Sequence, residues 1–459
     1  MKTTFSGWHY LWKSEDIRRK LIVTFVILVI YRLAANIPAP GVDHDILAAF
    51  RSSTSGSGGF LGFLDLLSGG TVSNFSLLSM GVYPYITAQI IIQLLIPIIP
   101  SLQQRIQDDP REGRRWQEKW TYYLAVLMAA LSAVGQINIF NSLSIQSIGQ
   151  AILPFGLFNP DTALASWSVL IAMTAGTMFA IWLGELISEY GIRGQGLSLV
   201  IFAGIVARIP ANFASLLADE TNRWIMLTLT VIIIVLTVLA IVYVQQGRRN
   251  VPVMYPGRRV GNRMSMPVKG TMPLMVNLSG MIPLIFASAI LQFPAIIASY
   301  FTQSENQAVA DFFVGIQNFF GATGTSNWGY WTIYFFMVVV FTFFYTTVLF
   351  DQQNYGENLK KVGASVPGVL TGAPTQKYLS TVQSRITFVG ALFLGIVAIM
   401  PFLLGLLLAA FNISASNSTG IFLITSSGLL IVVGVVRDTF QNIDAELKLH
   451  GYQDSLLVR

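Results

Sequence analysis

Uninterrupted apolar stretches such as Trp224 to Val244 and Tyr330 to Phe350 leave this chain little choice of fold. A run near 20 residues, coiled as an α-helix, matches the roughly 30 Å hydrocarbon core of a bilayer. A further stretch, Leu21 to Ile30, follows Arg18, Arg19 and Lys20. It leads into Asn36-Ile37-Pro38-Ala39-Pro40-Gly41 rather than a small-residue cleavage site, so it reads as a retained span. Composition agrees, because 53% hydrophobic and 11% charged residues provide too little polar surface to cover a soluble globule of 459 residues. The chain has no cysteine, which excludes disulfides, thiol catalysis and thiolate metal sites.

Ten spans are expected, at about 20–38, 75–99, 120–139, 163–187, 195–217, 223–245, 272–294, 328–350, 384–410 and 417–436. An even number returns the C-terminus to the side of the N-terminus. Of the 28 Lys and Arg residues, 24 then fall on that side. Arg51, Arg208 and Arg223 fall on the other, and Arg32 lies within the first span. Basic residues are retained in the cytoplasm, so both termini are expected there, and topology explains most of the net charge of +6. The segment Gly59 to Gly70, about 56–72 with its flanks, is apolar but too short to cross. Glycines at both ends permit turns, so it reads as a re-entrant half-helix that lines or fills a cavity enclosed by the other helices.

The pattern G-x-x-P-x-I-x-A occurs twice, 199 residues apart. Gly81-Val82-Tyr83-Pro84-Tyr85-Ile86-Thr87-Ala88 lies in the second span and Gly280-Met281-Ile282-Pro283-Leu284-Ile285-Phe286-Ala287 in the seventh. Two halves of five spans follow, 1–218 and 219–459. An odd number of spans per half inserts the second half upside down relative to the first. The proline in each copy removes a backbone donor and is expected to kink its helix, a useful property where helices must swing apart. The fold expected is therefore an all-α integral membrane protein of ten helices in two inverted halves, with large cytoplasmic loops at about 246–271 and 351–384.

Inverted repeats also build secondary transporters, which need polar anchors near the midplane. Here Arg32, Glu185, Glu189, Asp351, Arg437 and Asp438 fall near span ends and the middles are apolar, which favours a channel. A polar coordination site at the broken second or seventh helix would favour a carrier instead. A membrane insertase without a continuous pore would offer a hydrophilic groove within the membrane, and no such pattern is visible. His9, His44 and His450 are scattered over the termini and a loop, so no metal, cofactor or proton relay is expected. No lysine follows a glycine, so the phosphate-cradling loop is missing and any energy from ATP has to come from a partner. No enzymatic chemistry is expected.

The stretch Met80-Gly81-Val82-Tyr83-Pro84-Tyr85-Ile86-Thr87-Ala88-Gln89-Ile90-Ile91-Ile92-Gln93-Leu94 resembles the first signature of the SecY family. Similar matches run along nearly the whole chain. They include Tyr31-Arg32-Leu33, Ile37 to Gly41, Ile201 to Val206, Val276 to Pro283, Glu357 to Lys361 and Val366-Pro367-Gly368.

The resemblance implies the pore-forming subunit of the protein translocase of the bacterial inner membrane, a passive channel for unfolded preproteins with lateral release of membrane segments. It places a waist of isoleucines at Ile86, Ile90, Ile201, Ile205, Ile285 and Ile431. An apolar collar resists wetting yet offers no fixed polar partner, so a chain of any sequence can slide through. The resemblance makes Phe60, Leu61, Phe63, Leu64, Leu66 and Leu67 the plug, and puts the lateral gate between the second and third spans on one side and the seventh and eighth on the other. Gln89, Gln93, Thr121 and Asn277 are the polar residues on those gate helices, expected in part to bond across the seam. Arg248, Arg249, Arg258, Arg259, Lys360 and Lys361, with Lys269 and Lys377, form the basic cytoplasmic partner-binding loops. The implied partners are SecE-like and SecG-like small subunits, the SecA motor ATPase or a translating ribosome, signal peptides and nascent chains, and the lipid bilayer. Two departures stand out. Leu370 and Thr371 replace the arginine and proline usual after Val366-Pro367-Gly368-Val369. The second signature, Gly191-Ile192-Arg193-Gly194-Gln195-Gly196-Leu197-Ser198, is one residue longer than the usual form and has Gln195 where asparagine is common.

Overall fold

Helices dominate the computed structural model. It describes residues 14–42, 45–47, 75–102, 104, 109–153, 155–156, 162–217, 223–256, 259–260, 263–264, 268–301, 307–321, 327–410 and 419–449. In chain order these form α1 (Glu15–Ala34), α2 (Tyr83–Ile98), α3 (Pro110–Ile148), α4 (Ala163–Tyr190), α5 (Gly196–Leu217) and α6 (Arg223–Gln246). Strands β1 (Arg248–Tyr255), β2 (Arg259–Val260), β3 (Arg263–Met264) and β4 (Val268–Met275) follow. The chain continues with α7 (Ile282–Phe301), α8 (Gln307–Gly321), α9 (Trp328–Gln352), α10 (Tyr355–Lys361), α11 (Ala373–Ala410) and α12 (Thr419–Leu449).

Each segment expected to span contains a helix, but several boundaries differ. The second helix begins at Tyr83 rather than near 75. Residues 75–82 instead form turns, in which Ala39 N–H donates to the Phe75 carbonyl (3.0 Å) and Leu77 N–H to the Ile37 carbonyl (3.0 Å). The seventh helix begins at Ile282 rather than near 272, because 268–275 pairs with β1 as an antiparallel strand. α3 is longer than expected at both ends. Asp109 caps it by accepting from Arg111 N–H (3.0 Å) and Glu112 N–H (3.2 Å), with Pro110 in the first turn where no donor is needed. α8 was not foreseen. Among the described residues, five helices are long and apolar enough to cross a membrane: Arg111–Asn141, Ala163–Tyr190, Leu227–Gln246, Trp328–Lys361 and Ala373–Met400. Large apolar side chains such as Phe25, Leu33, Leu236, Leu239, Phe336 and Val340 are exposed, as lipid-facing residues are.

The chain divides into two compact units. The first comprises 1–232, 289–330 and 401–459. Within it α2 packs on α3, α3 on α4, α4 on α5, α1 on both α4 and α5, and α12 on α5. One of its clusters gathers Ala39, Val42, Phe75, Met80, Ile137, Phe140, Leu153 and Met173, with Phe75 and Phe140 edge to face at 5.2 Å. Near the start of α1, Lys20 pairs with Asp16 (2.9 Å) and with Glu446 near the end of α12. Thr24, one turn further, accepts from Ile192 N–H (3.3 Å), and Asn442 of α12 donates to the Arg193 carbonyl (3.2 Å). The start of the first helix, the end of the last and the α4–α5 connection therefore lie together.

The second unit comprises 233–288 and 331–400. Its two large loops fold into one body. Met254 of β1 and Ser365 exchange backbone hydrogen bonds of 2.8 and 2.9 Å, and Val251, Val253, Leu274, Phe350, Ala364, Val366 and Leu379 form a shared core. Along β1 the buried residues Val251 and Val253 alternate with exposed ones, the period of two that a half-buried strand requires.

Candidate pore constriction and gate

The two repeat copies adopt the same backbone. Gly81 (φ 52°) and Gly280 (φ 63°) both occupy the left-handed region immediately before a helix begins. Pro84 and Pro283 then fall in the first turn of α2 and α7. This corrects the expectation of kinks at these prolines. At a helix start the missing N–H removes no hydrogen bond and the fixed φ suits helical entry, so they initiate the helices rather than bend them. The interior proline of α7 is Pro294.

On α2, Ile86, Ile90 and Gln93 follow the i, i+4, i+7 spacing of one helix face. A different face carries Tyr85 and Ala88, which join Ala125 and Met128 of α3 and Ile181 of α4 in a buried cluster. Ile90 is buried and Ile86 half-buried. Ile201 and Ile205 lie one turn apart on α5, both buried. Ile431 is buried on α12, the helix that packs on α5. Ile285, also buried, sits one turn into α7 in the second unit. Packing of α5 against α12 thus brings three of the six isoleucines onto neighbouring helices, while Ile285 belongs to the other unit.

Of the four residues expected at the gate, Thr121 and Asn277 make local bonds. Thr121, buried on α3, donates to the Gln117 carbonyl of its own helix (2.8 Å). Asn277, buried before α7, donates from Nδ2 to the Gly280 carbonyl (3.1 Å) and accepts at Oδ1 from the Ser279 hydroxyl (3.1 Å). This ties the turn into α7. Gln89 and Gln93 are half-buried, one turn apart on α2. The residues expected to form the plug, Phe60, Leu61, Phe63, Leu64, Leu66 and Leu67, lie outside the described residues, as does Arg258.

Of the basic loop residues, Arg248 and Arg249 are exposed at the start of β1, Arg259 lies on β2, and Lys360 and Lys361 are exposed in the last turn of α10. Leu370 is 79% exposed at the tip of the second loop. The pairing of Met254 with Ser365, which makes one platform of two loops, was missed from the sequence. Val251 and Val253 are separated by Pro252 and followed by Met254, so no polar alternation marked the strand.

Comparison with known proteins follows the same lines. The family model described as SecY matches residues 76–440. The protein translocase subunit SecY of Streptomyces scabiei is 33% identical over 446 residues, covering 97% of this chain and 98% of that protein. The subunit of the same name from Thermotoga maritima is 35% identical over 448 residues, covering 96% and 95%. A solved structure described as that of a protein conducting channel aligns with a TM-score of 0.59 at 18% identity, covering 96% of this chain and 95% of that one. Another, concerned with the plug domain of the SecY protein and the closed state of its translocation channel, aligns with a TM-score of 0.60 at 19% identity and the same coverage.

Proposed function

Because the chain belongs to the SecY family, we propose that it is the pore-forming subunit of a protein translocase, passing unfolded preproteins across the bacterial plasma membrane and releasing apolar segments sideways into lipid. The observation that carries this reading is full-length kinship with translocase subunits, joined to isoleucine at all six positions of the expected waist. A collar of such side chains is closed to water and ions by its apolarity and passes polypeptide by yielding rather than by binding.

Several features support the accompanying topology of ten spans in two inverted halves with cytoplasmic termini. The Lys20–Glu446 pair joins the start of the first helix to the end of the last, as an even number of crossings requires. The repeat glycines and prolines give both halves the same helix-entry turn. We assign the chain no covalent chemistry. The relatives are named as subunits, so the chain is read as working in an assembly, with SecE-like and SecG-like small subunits, and with SecA or a ribosome as driver. The exposed Arg248, Arg249, Lys360 and Lys361 suit phosphate-rich or acidic partner surfaces. The segment from Phe60 to Leu67 is assigned as the plug.

The test is ion conductance of the chain with its small subunit in planar bilayers, before and after replacing Ile86, Ile90, Ile201 and Ile205 with asparagine. A tight parent and a leaking variant are expected. If both stay silent while a small solute accumulates against a gradient, the channel reading fails.

A further inference from the structure

Helix α8 is strongly one-sided and no role has yet been assigned to it. Val309, Phe312, Phe313, Ile316, Phe319 and Phe320 follow the i, i+3, i+4, i+7 progression of one apolar stripe, while Gln307 and Asp311 fall on the far side. Asp311 is the sole charged residue in its 15 residues. Too short to span, it leaves from the end of α7 and returns to the start of α9.

Part of the stripe is held by protein. The Phe313 ring stacks on Phe301 of α7 with centroids 4.7 Å apart. Phe319 lies against Gly329 of α9, where an added Cβ would come within 2.8 Å of its ring, and Asn327 donates to the Phe319 carbonyl at 2.6 Å. One edge is exposed: Phe312 is 65% exposed while Val309, Ile316 and Phe320 are half-buried, and Phe301 and Trp328 at the adjoining helix ends are exposed too, Trp328 with its ring edge-on to Phe402 at 5.2 Å.

We propose that α8 is an interfacial helix whose Phe312 edge inserts into the non-cytoplasmic leaflet of the proposed topology. Two features identify lipid as the occupant. The uncovered edge is continuous with Trp328, the first residue of a helix long and apolar enough to cross the membrane, so it meets the bilayer at the level where aromatic residues concentrate. The stack on Phe301 and the contact with Gly329 hold the helix down at the ends of α7 and α9, so it cannot rise away from that level. A helix satisfies its own backbone hydrogen bonds, and an amphipathic one of this kind lies along the interface with its apolar edge among the acyl chains. α8 then ties the outer ends of two helices to the leaflet. On the proposed function these are the helices of one gate wall, so lipid packing in that leaflet would bias lateral opening.

The cysteine-free chain makes the test direct. The full chain carrying F312C or D311C is labelled with a nitroxide in phosphatidylethanolamine and phosphatidylglycerol vesicles, and collision with oxygen is compared with collision with a water-soluble nickel chelate. The oxygen-to-nickel ratio is expected to be several-fold higher at 312 than at 311. I316C provides a second position on the same stripe should F312C fail to fold. Equal nickel access at 312 and 311 would mean the edge faces water. Exclusion of both reagents at 312, with an immobilised label, would mean that protein covers it. Either result overturns the proposal. Neither depends on conductance, so failure here is distinguishable from failure of the channel reading.

Discussion

Replacing Gly280 tests whether backbone conformation or space dictates the repeat glycines. At φ 63° the residue sits in the left-handed region, and a Cβ built there would meet nothing within 4 Å. Size is therefore not the obstacle. An L-residue in that well costs about 1–2 kcal/mol. A non-glycine residue also restricts the unfolded chain, offsetting about 0.4–1 kcal/mol of that. The net loss for G280A is then of order 0.5–1 kcal/mol from these two magnitudes. Asparagine tolerates the left-handed region better than alanine, and a β-branched side chain tolerates it worse. Thermal unfolding of the purified chain in detergent should rank Gly280 above G280N, G280N above G280A, and G280A above G280V. The decisive comparison is asparagine against alanine, because a steric cause would put the larger asparagine lower. G280A more stable than G280N, or a series ordered by volume, would refute the argument.

Two further outcomes follow from the same geometry. P84A and P283A should leave stability and conductance close to the parent, since both prolines start helices, whereas P294A alters an interior helical position. A large conductance change in the first two, with none in the third, would restore the kink reading. K20E and E446K should each destabilise the chain, and the double exchange K20E/E446K should recover part of the loss. The expected coupling is about 1 kcal/mol, the upper end for partly exposed pairs. Additive losses in thermal unfolding would mean that the first and last helices are not joined there.

The helices were legible because lipid admits only elements that bond their own backbone, so a long apolar run has a single solution. Their ends were less so. Residues 75–80 read as the start of a span because Phe75, Leu77, Leu78 and Met80 are apolar, yet Phe75 and Met80 are apolar for packing against Phe140 and Met173 in a turn. Hydropathy does not separate burial in lipid from burial in protein. The hairpin escaped notice because its strands carry Pro252 and Pro273 and gain their core from residues far along the chain, Phe350, Ala364, Val366 and Leu379. Thr121 and Asn277 were singled out by polarity alone, which does not reveal that each bonds locally, Thr121 to the Gln117 carbonyl and Asn277 to Gly280 and Ser279.

The repeat shows which part of such a site a sequence can carry. The offset that aligns Gly81 with Gly280 and Pro84 with Pro283 also aligns Ile86 with Ile285, so the helix-entry turn and the first isoleucine recur together. Beyond them the match is partial: Ala88, Ile91 and Gln93 recur as Ala287, Ile290 and Gln292, while other positions differ. Thr87, whose hydroxyl donates to the Tyr83 and Pro84 carbonyls, corresponds to Phe286, which stacks on Phe341 at 5.6 Å. Ile90 corresponds to Ala289. Backbone geometry at a helix start admits few residue types, so it persists in both halves, as does the small buried residue at Ala88 and Ala287, whereas positions such as Thr87 and Ile90 answer to different neighbours in each half. The waist proposed for this channel is accordingly unequal: α2 supplies two isoleucines, one turn apart, and α7 supplies one. On the proposed function the first half supplies four of the six waist isoleucines, and asparagine at Ile90 removes a side chain whose counterpart in the second half is Ala289.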